Sequence, residues 1–164
     1  MADIHAAPAD AAATQGPTPG PPAATTGAVT GAPRALLRVE GLLVCIAAVG
    51  LFWRDYGGAV GWWGFLMFFV PDLTLLAYLA GARIGAIAYN SAHTYVFPAA
   101  LALAAPMVEG VGDVPVGAAA LLWAAHIGFD RALGLGLKYG SGFGDTHLGR
   151  VDGAKARPKP AANG

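Results

Sequence analysis

Four almost wholly apolar runs, separated by short turns, restrict this chain to one broad class of fold. A membrane-spanning helix needs about 20 consecutive, mainly apolar residues. The runs Leu36–Trp53, Trp62–Ala80, Ile84–Ala105 and Val116–Leu137 come near that length. The connections between them are rich in turn formers: Asp55-Tyr56-Gly57-Gly58, then Gly81-Ala82-Arg83, then Pro106 to Pro115 with Glu109, Gly110, Gly112 and Asp113. Short connections make consecutive helices antiparallel neighbours. The expected fold is therefore all-α, a four-span, up-down transmembrane helical bundle. Charge content agrees: 12% of residues are charged, against about 25% in soluble domains.

The two ends are of another kind. Residues 1–34 are mainly Ala, Pro, Thr and Gly, with few large apolar side chains to offset the entropy lost on ordering. The sequence predicts a disordered tail there. Asp3 and Asp10 stand where a signal peptide would carry Lys or Arg, and no continuous apolar stretch follows. Residues 35–150 form the expected membrane domain, ending in a glycine-rich segment, and 151–164 form a short polar tail. With four spans, one side collects Arg34, Arg38, Arg83, Lys138, Arg150, Lys155, Arg157 and Lys159. The other has Arg54, beside Asp55, Glu109 and Asp113. Positive charge favours the cytoplasmic side, so both termini are expected in the cytoplasm of a bacterium, with the bundle in its inner membrane.

The expected partner is the lipid bilayer, with a second copy or a membrane protein as further options. The formal net charge is zero and no basic face stands out, which argues against nucleic acid. The single cysteine, Cys45, lies in an apolar run without redox or zinc-finger spacing. Trp53, Trp62 and Trp63 fall at span ends, where an aromatic belt anchors helices. Gly81 and Gly85 are spaced for helix contact, but Gly81 sits in a turn, and a turn and close-packing role is preferred.

Against this apolar background the ionisable residues stand out. His126, Asp130 and Arg131 lie inside the fourth run, with Asp72, Asn90 and His93 in the second and third. A charge at the middle of a span costs about 2.5–3.5 kcal/mol on insertion scales. At ~1.5 Å per residue, Asp72, His93 and His126 all lie ~15 Å deep. Asn90 and Asp130 lie nearer the cytoplasm, and Glu40 nearer still. His126 and Asp130 are four apart and Asn90 and His93 three apart, so each pair shares one helix face. The expected buried polar cluster is Asp72, Asn90, His93, His126 and Asp130. Arg131 is expected to reach Glu40 or Asp72, or to snorkel outward, and Arg38 and Glu40 to mark the interface. Pro71 and Pro98 are expected to bend their helices.

Three readings suit such a cluster. In the first, preferred on the sequence, hydrogen bonds between helices hold the bundle in register or bind a partner, each contributing about 0.6–2 kcal/mol. In the second, His93, His126, Asp72 and Asp130 hold a zinc-like divalent metal whose bound water hydrolyses a lipid-like ester or amide. Asp130 then binds metal or acts as general base, and Arg131 offsets carboxylate charge or stabilises an anionic intermediate. In the third, the titratable groups handle protons or ions. No H-E-x-x-H motif supports the second reading directly.

The stretch Gly134 to Gly149 fits neither G-x-x-x-x-G-K-[ST] nor G-x-G-x-x-G. It reads as an interfacial segment, with Lys138 near phosphates, Tyr139 and Phe143 at the headgroups, and Asp145 and His147 folded back beneath the polar cluster.

Several motifs together resemble a known family. They are Val70-Pro71-Asp72-Leu73 with Tyr78-Leu79, Ala88-Tyr89-Asn90-x-x-His93, His126-x-x-Phe129-Asp130-Arg131-x-Leu133-Gly134-x-Gly136-Leu137-Lys138-Tyr139, and Thr146-His147-Leu148-Gly149. The resemblance covers Leu36 to Arg150 and is to an uncharacterised bacterial membrane family, the domain of unknown function numbered 4260. It implies a compact four-helix membrane protein and brings no assigned activity or cofactor. Leu135 departs from the tyrosine usual at that position in the family.

Overall fold

A computed structural model describes residues 27–108 and 115–151. The expected tails therefore lie outside the described residues over 1–26 and 152–164, as do Glu109 to Val114. The chain is mainly helical. Helix α1 runs Gly31–Phe68, a 3-10 helix follows over Val70–Ala80, and then come α2 (Ala82–Ala92), α3 (Val96–Val108) and α4 (Val116–Leu133). A two-stranded antiparallel hairpin, β1 (Asp145–Thr146) with β2 (Gly149–Arg150), closes the glycine-rich segment. Helix α1 starts at Gly31 with Pro33 in its first turn, where a proline has no N–H to waste. Residues 31–34 thus belong to the helix and not to the tail.

The turn expected at Asp55–Gly58 falls within the range of α1. The chain nevertheless turns back within this run. Gly41 lies against Gly128 on α4, while the Phe68 ring meets His126, two residues from Gly128, at 5.1 Å. Positions 41 and 68 of a straight helix would stand about 40 Å apart at 1.5 Å per residue. Phe52, Tyr56 and Met67 also share one apolar cluster with Ala118 and Leu122. The reversal therefore falls between Tyr56 and Met67, in the part of the helix that holds Gly57, Gly58, Gly61 and Gly64.

The third expected run also divides. Pro98 lacks an N–H and its ring crowds the carbonyl four residues earlier, at Thr94. Helix α2 accordingly ends at Ala92, with His93 in the break before α3. Gly81, at φ +115°, makes the tight turn from the 3-10 helix into α2.

Helix α4 is the centre of the molecule. Ala118, Ala120, Leu122, Ala125, Ile127 and His126 are all buried. It packs chiefly against α1, at a crossing where Gly41 and Gly128 bring the two backbones together. A Cβ on Gly128 would stand 2.6 Å from the Gly41 carbonyl oxygen and 2.8 Å from the Cys45 nitrogen. Helix α3 also packs on α4, where Phe97 stacks on Trp123 at 6.2 Å, and Trp123 Nε1 donates to the Ala92 carbonyl at the end of α2 at 2.6 Å. The C-terminus of α4 is a Schellman cap. Gly134 takes φ +89°, its N–H donates to the Arg131 carbonyl at 3.0 Å, and the Leu135 N–H donates to the Asp130 carbonyl at 2.7 Å.

The outer surface is apolar. Leu79, Leu103 and Phe65 are 90%, 78% and 69% exposed, the reverse of what water selects. Among the described residues, three stretches, Gly31–Gly57, Trp62–Ala80 and Ala82–Val108, are long and apolar enough to cross a membrane. Helix α4 is not one of them, since its 18 residues carry His126, Asp130 and Arg131. Its charged groups are enclosed by the other helices.

Candidate metal centre

Three elements bring four side chains to one point. Asp72 projects from the first turn of the 3-10 helix, His93 from the break between α2 and α3, and His126 and Asp130 from successive turns of α4. One donor atom from each of the four lies within 4.8 Å of every other. His93 Nε2 is 3.1 Å from His126 Nε2, 3.5 Å from Asp72 Oδ1 and 3.5 Å from Asp130 Oδ2. His126 Nε2 is 3.4 Å from Asp72 Oδ1 and 4.0 Å from Asp130 Oδ2. Both imidazoles and Asp130 are buried, while the Asp72 side chain is 36% exposed.

These separations have chemical meaning. Tetrahedral ligands with zinc bonds of 2.0–2.1 Å stand roughly 3.4 Å apart along each edge. Most of the observed separations lie near that value. The protonation pattern points the same way. His93 Nδ1 donates to the Tyr89 carbonyl at 2.9 Å, which leaves its Nε2 with a bare lone pair. His126 Nε2 faces that lone pair, and His126 Nδ1 is buried without a hydrogen-bond partner. With neutral imidazoles, at most one ring N–H lies between His93 and His126, and Asp130 Oδ2 takes its hydrogen bond from the Tyr89 hydroxyl instead. A cation would satisfy all four acceptors at once.

Tyr89 holds this arrangement in two ways besides its carbonyl. Its hydroxyl donates to Asp130 Oδ2 at 2.6 Å, and its ring stacks on His93 at 3.6 Å and 10°. Tyr89 is not among the site residues expected from the sequence. The available signal was its position one turn before His93, on the same helix face. Phe68 covers the other imidazole, edge to face with His126 at 5.1 Å.

A cavity of about 260 Å³ borders the cluster. His126, Asp72, Asp130, Tyr89 and Lys138 line it together with Phe68, Phe69, Phe129 and Phe143. Its polar groups thus lie against aromatic walls.

The remaining expected residues lie elsewhere. Asn90 clamps the main chain of Lys138: its Nδ2 donates to the Lys138 carbonyl at 2.8 Å, and its Oδ1 accepts the Lys138 N–H at 2.7 Å. That clamp docks the glycine-rich segment onto α2. Arg131 places its guanidinium 4.3 Å from the centre of the Tyr95 ring, not on Glu40 or Asp72. Glu40 is exposed on α1. Tyr139 donates its hydroxyl to the Gly27 carbonyl at 2.7 Å. Asp145 accepts from Ser141 at 2.8 Å and pairs with Arg150 at 3.4 Å. The His147 ring packs against Gly136, and burial pushes its pKa below the ordinary value, with Arg131 adding to the shift. Burial likewise pushes the Lys138 ammonium below its ordinary value, while Asp130 and Asp72 act in the opposite direction.

Apolar helices enclosing a buried two-histidine, two-aspartate cluster define the class of the protein, and comparison with known families is specific. The chain matches the domain of unknown function DUF4260 over residues 34–151 and belongs to that family. No curated protein and no solved structure matches it.

Proposed function

We propose that this protein is an intramembrane divalent-metal protein that hydrolyses an ester or amide in a lipid-like substrate. The observation that carries this reading is the convergence of Asp72, His93, His126 and Asp130, each with a donor atom within 4.8 Å of the others, beside a cavity. Two nitrogen and two oxygen donors suit zinc, with iron or manganese as alternatives. A metal there would lower the pKa of a bound water toward neutrality and polarise a substrate carbonyl. Either carboxylate could accept the water's proton. Asp130 is the better placed for that role, because Tyr89 fixes its orientation. Arg131, over Tyr95, is left with a role in packing.

The same reading has the chain cross a bacterial inner membrane four times, with both termini cytoplasmic. Supporting it, the cations gather at one end. Arg34 lies against Gly134 and Gly149, Arg83 against Gly140, and Arg38 Nε donates to the Ala132 carbonyl at 2.8 Å. The four ligands lie within a few turns of that end, so the substrate bond would be met in the cytoplasmic half of the membrane.

Metal-loaded protein in mixed micelles should cleave a fluorogenic dodecanoyl ester or amide. Activity should vanish on chelation and return with zinc. A second reading rests on the number of protein ligands, since four commonly mark structural zinc sites. Stoichiometric metal with no cleavage of either substrate, together with a large loss of thermal stability on chelation, would favour that reading over hydrolysis.

A further inference from the structure

We propose that the cavity takes the head of a singly negative amphiphile, and that Lys138 Nζ is the group that receives its anion. This rests on the metal reading above and names the substrate class for that site. Lys138 is 5% exposed and lines the cavity beside Asp72, Asp130 and His126. An ammonium has three N–H donors and no acceptor. One donates to the Phe143 carbonyl at 3.0 Å. Among the described residues no carboxylate lies within ion-pair distance of Nζ. A buried cation is ordinarily paired, so this one has capacity for a partner that the chain does not supply.

Lys138 is also built into position. The Asn90 amide clamps its main chain from both sides, and it bridges to Thr146 of the hairpin. Its ammonium sits 3.8 Å from the Phe143 ring centre and 4.7 Å from that of Tyr89, which hold it over the cavity wall.

Charge balance favours the same ligand. A dication bound by Asp72 and Asp130 with two neutral imidazoles leaves the ligand set neutral. Lys138 then gives the cavity one positive charge, which a carboxylate or a phosphodiester would neutralise. Size sets the rest. At about 260 Å³ the cavity falls short of the roughly 300–1,000 Å³ that encloses a whole small ligand. It suits a headgroup and the first part of a chain, with the remaining chain leaving along the apolar surface.

The test titrates decanoate, decanamide, decylamine and acetate into zinc-loaded, full-length protein in neutral maltoside micelles. Zinc content is measured on each sample. The expected result is saturable one-to-one binding of decanoate, at least tenfold tighter than decanamide, decylamine or acetate. Lys138→Gln should lose at least tenfold of that affinity with zinc content unchanged, and Lys138→Arg should keep most of it. Equal binding of decanoate and decanamide, or wild-type affinity in Lys138→Gln, overturns the proposal and leaves the metal reading intact. Acetate binding as tightly as decanoate overturns the amphiphile and points to a small soluble anion. A wild-type protein that takes up no zinc sinks both, since Asp72 and Asp130 would then repel the anion.

Discussion

Removal of one hydroxyl, in Tyr89→Phe, tests how the four ligands are held. In the native chain that hydroxyl donates to Asp130 Oδ2 at 2.6 Å, while the Tyr89 carbonyl fixes His93 Nδ1 at 2.9 Å and its ring stacks on His93. The substitution removes the first contact and leaves the other two, so His93 keeps its orientation and Asp130 alone is freed. A hydrogen bond to a charged group contributes about 1.5–3 kcal/mol. That is about 10- to 100-fold in an equilibrium constant at ~1.4 kcal/mol per tenfold. It matches the usual cost of removing a partner that orients a metal ligand. The zinc dissociation constant, measured by competition with a chromophoric chelator in detergent, should rise by about that factor. Stoichiometry should stay at its wild-type value, because all four donors remain. An unchanged constant would mean that Asp130 needs no orienting hydroxyl, and the account of Tyr89 would be wrong. Complete loss of metal would mean that the hydroxyl is itself a ligand or that the helix has shifted.

Three further outcomes follow from the packing. Gly128→Ala drives a methyl group into two backbone atoms that cannot rotate away, the Gly41 oxygen and the Cys45 nitrogen. It should destabilise by about 3 kcal/mol, the upper end of overpacking costs, read as a lowered unfolding temperature in detergent. Asn90→Ala strips both partners from the Lys138 main chain. Hydrogen exchange should rise over 138–148 with little change over α4. His147 is held by burial below its ordinary pKa of about 6.5. The unfolded segment therefore binds more protons than the folded one between those two values. Its contribution is complete above about pH 6.5 and is lost as pH falls through the folded value. Protection factors around Thr146 and Leu148, after division by the intrinsic exchange rate at each pH, should fall on acidification from pH 7 to pH 5, and less so in His147→Gln.

The helices were legible because apolar runs and turn formers mark them, and the site was partly legible because buried charge is rare. The i,i+4 pair His126 and Asp130, and the matching depths of Asp72 and His93, were enough to group the four residues that the structure brings together. Other features depend on contacts between distant segments. Asn90 shares a helix face with His93, yet its partner is the main chain of Lys138, and spacing does not reveal a backbone partner. Arg131 had acidic partners within reach on paper, but the aromatic face of Tyr95 holds it instead. The Gly41 and Gly128 crossing rests on two glycines from opposite ends of the chain, indistinguishable in sequence from the other 22. The turn formers at Asp55–Gly58 mark two limbs, and the chain does reverse close to them, between Tyr56 and Met67.

Elemental mass spectrometry tests the central claim most directly, on full-length protein purified in mild detergent beside a His126→Ala, Asp130→Ala double variant. The account predicts close to one zinc, iron or manganese ion per wild-type chain and none retained by the variant. No metal in the wild-type protein, even after reloading with each ion, would contradict it.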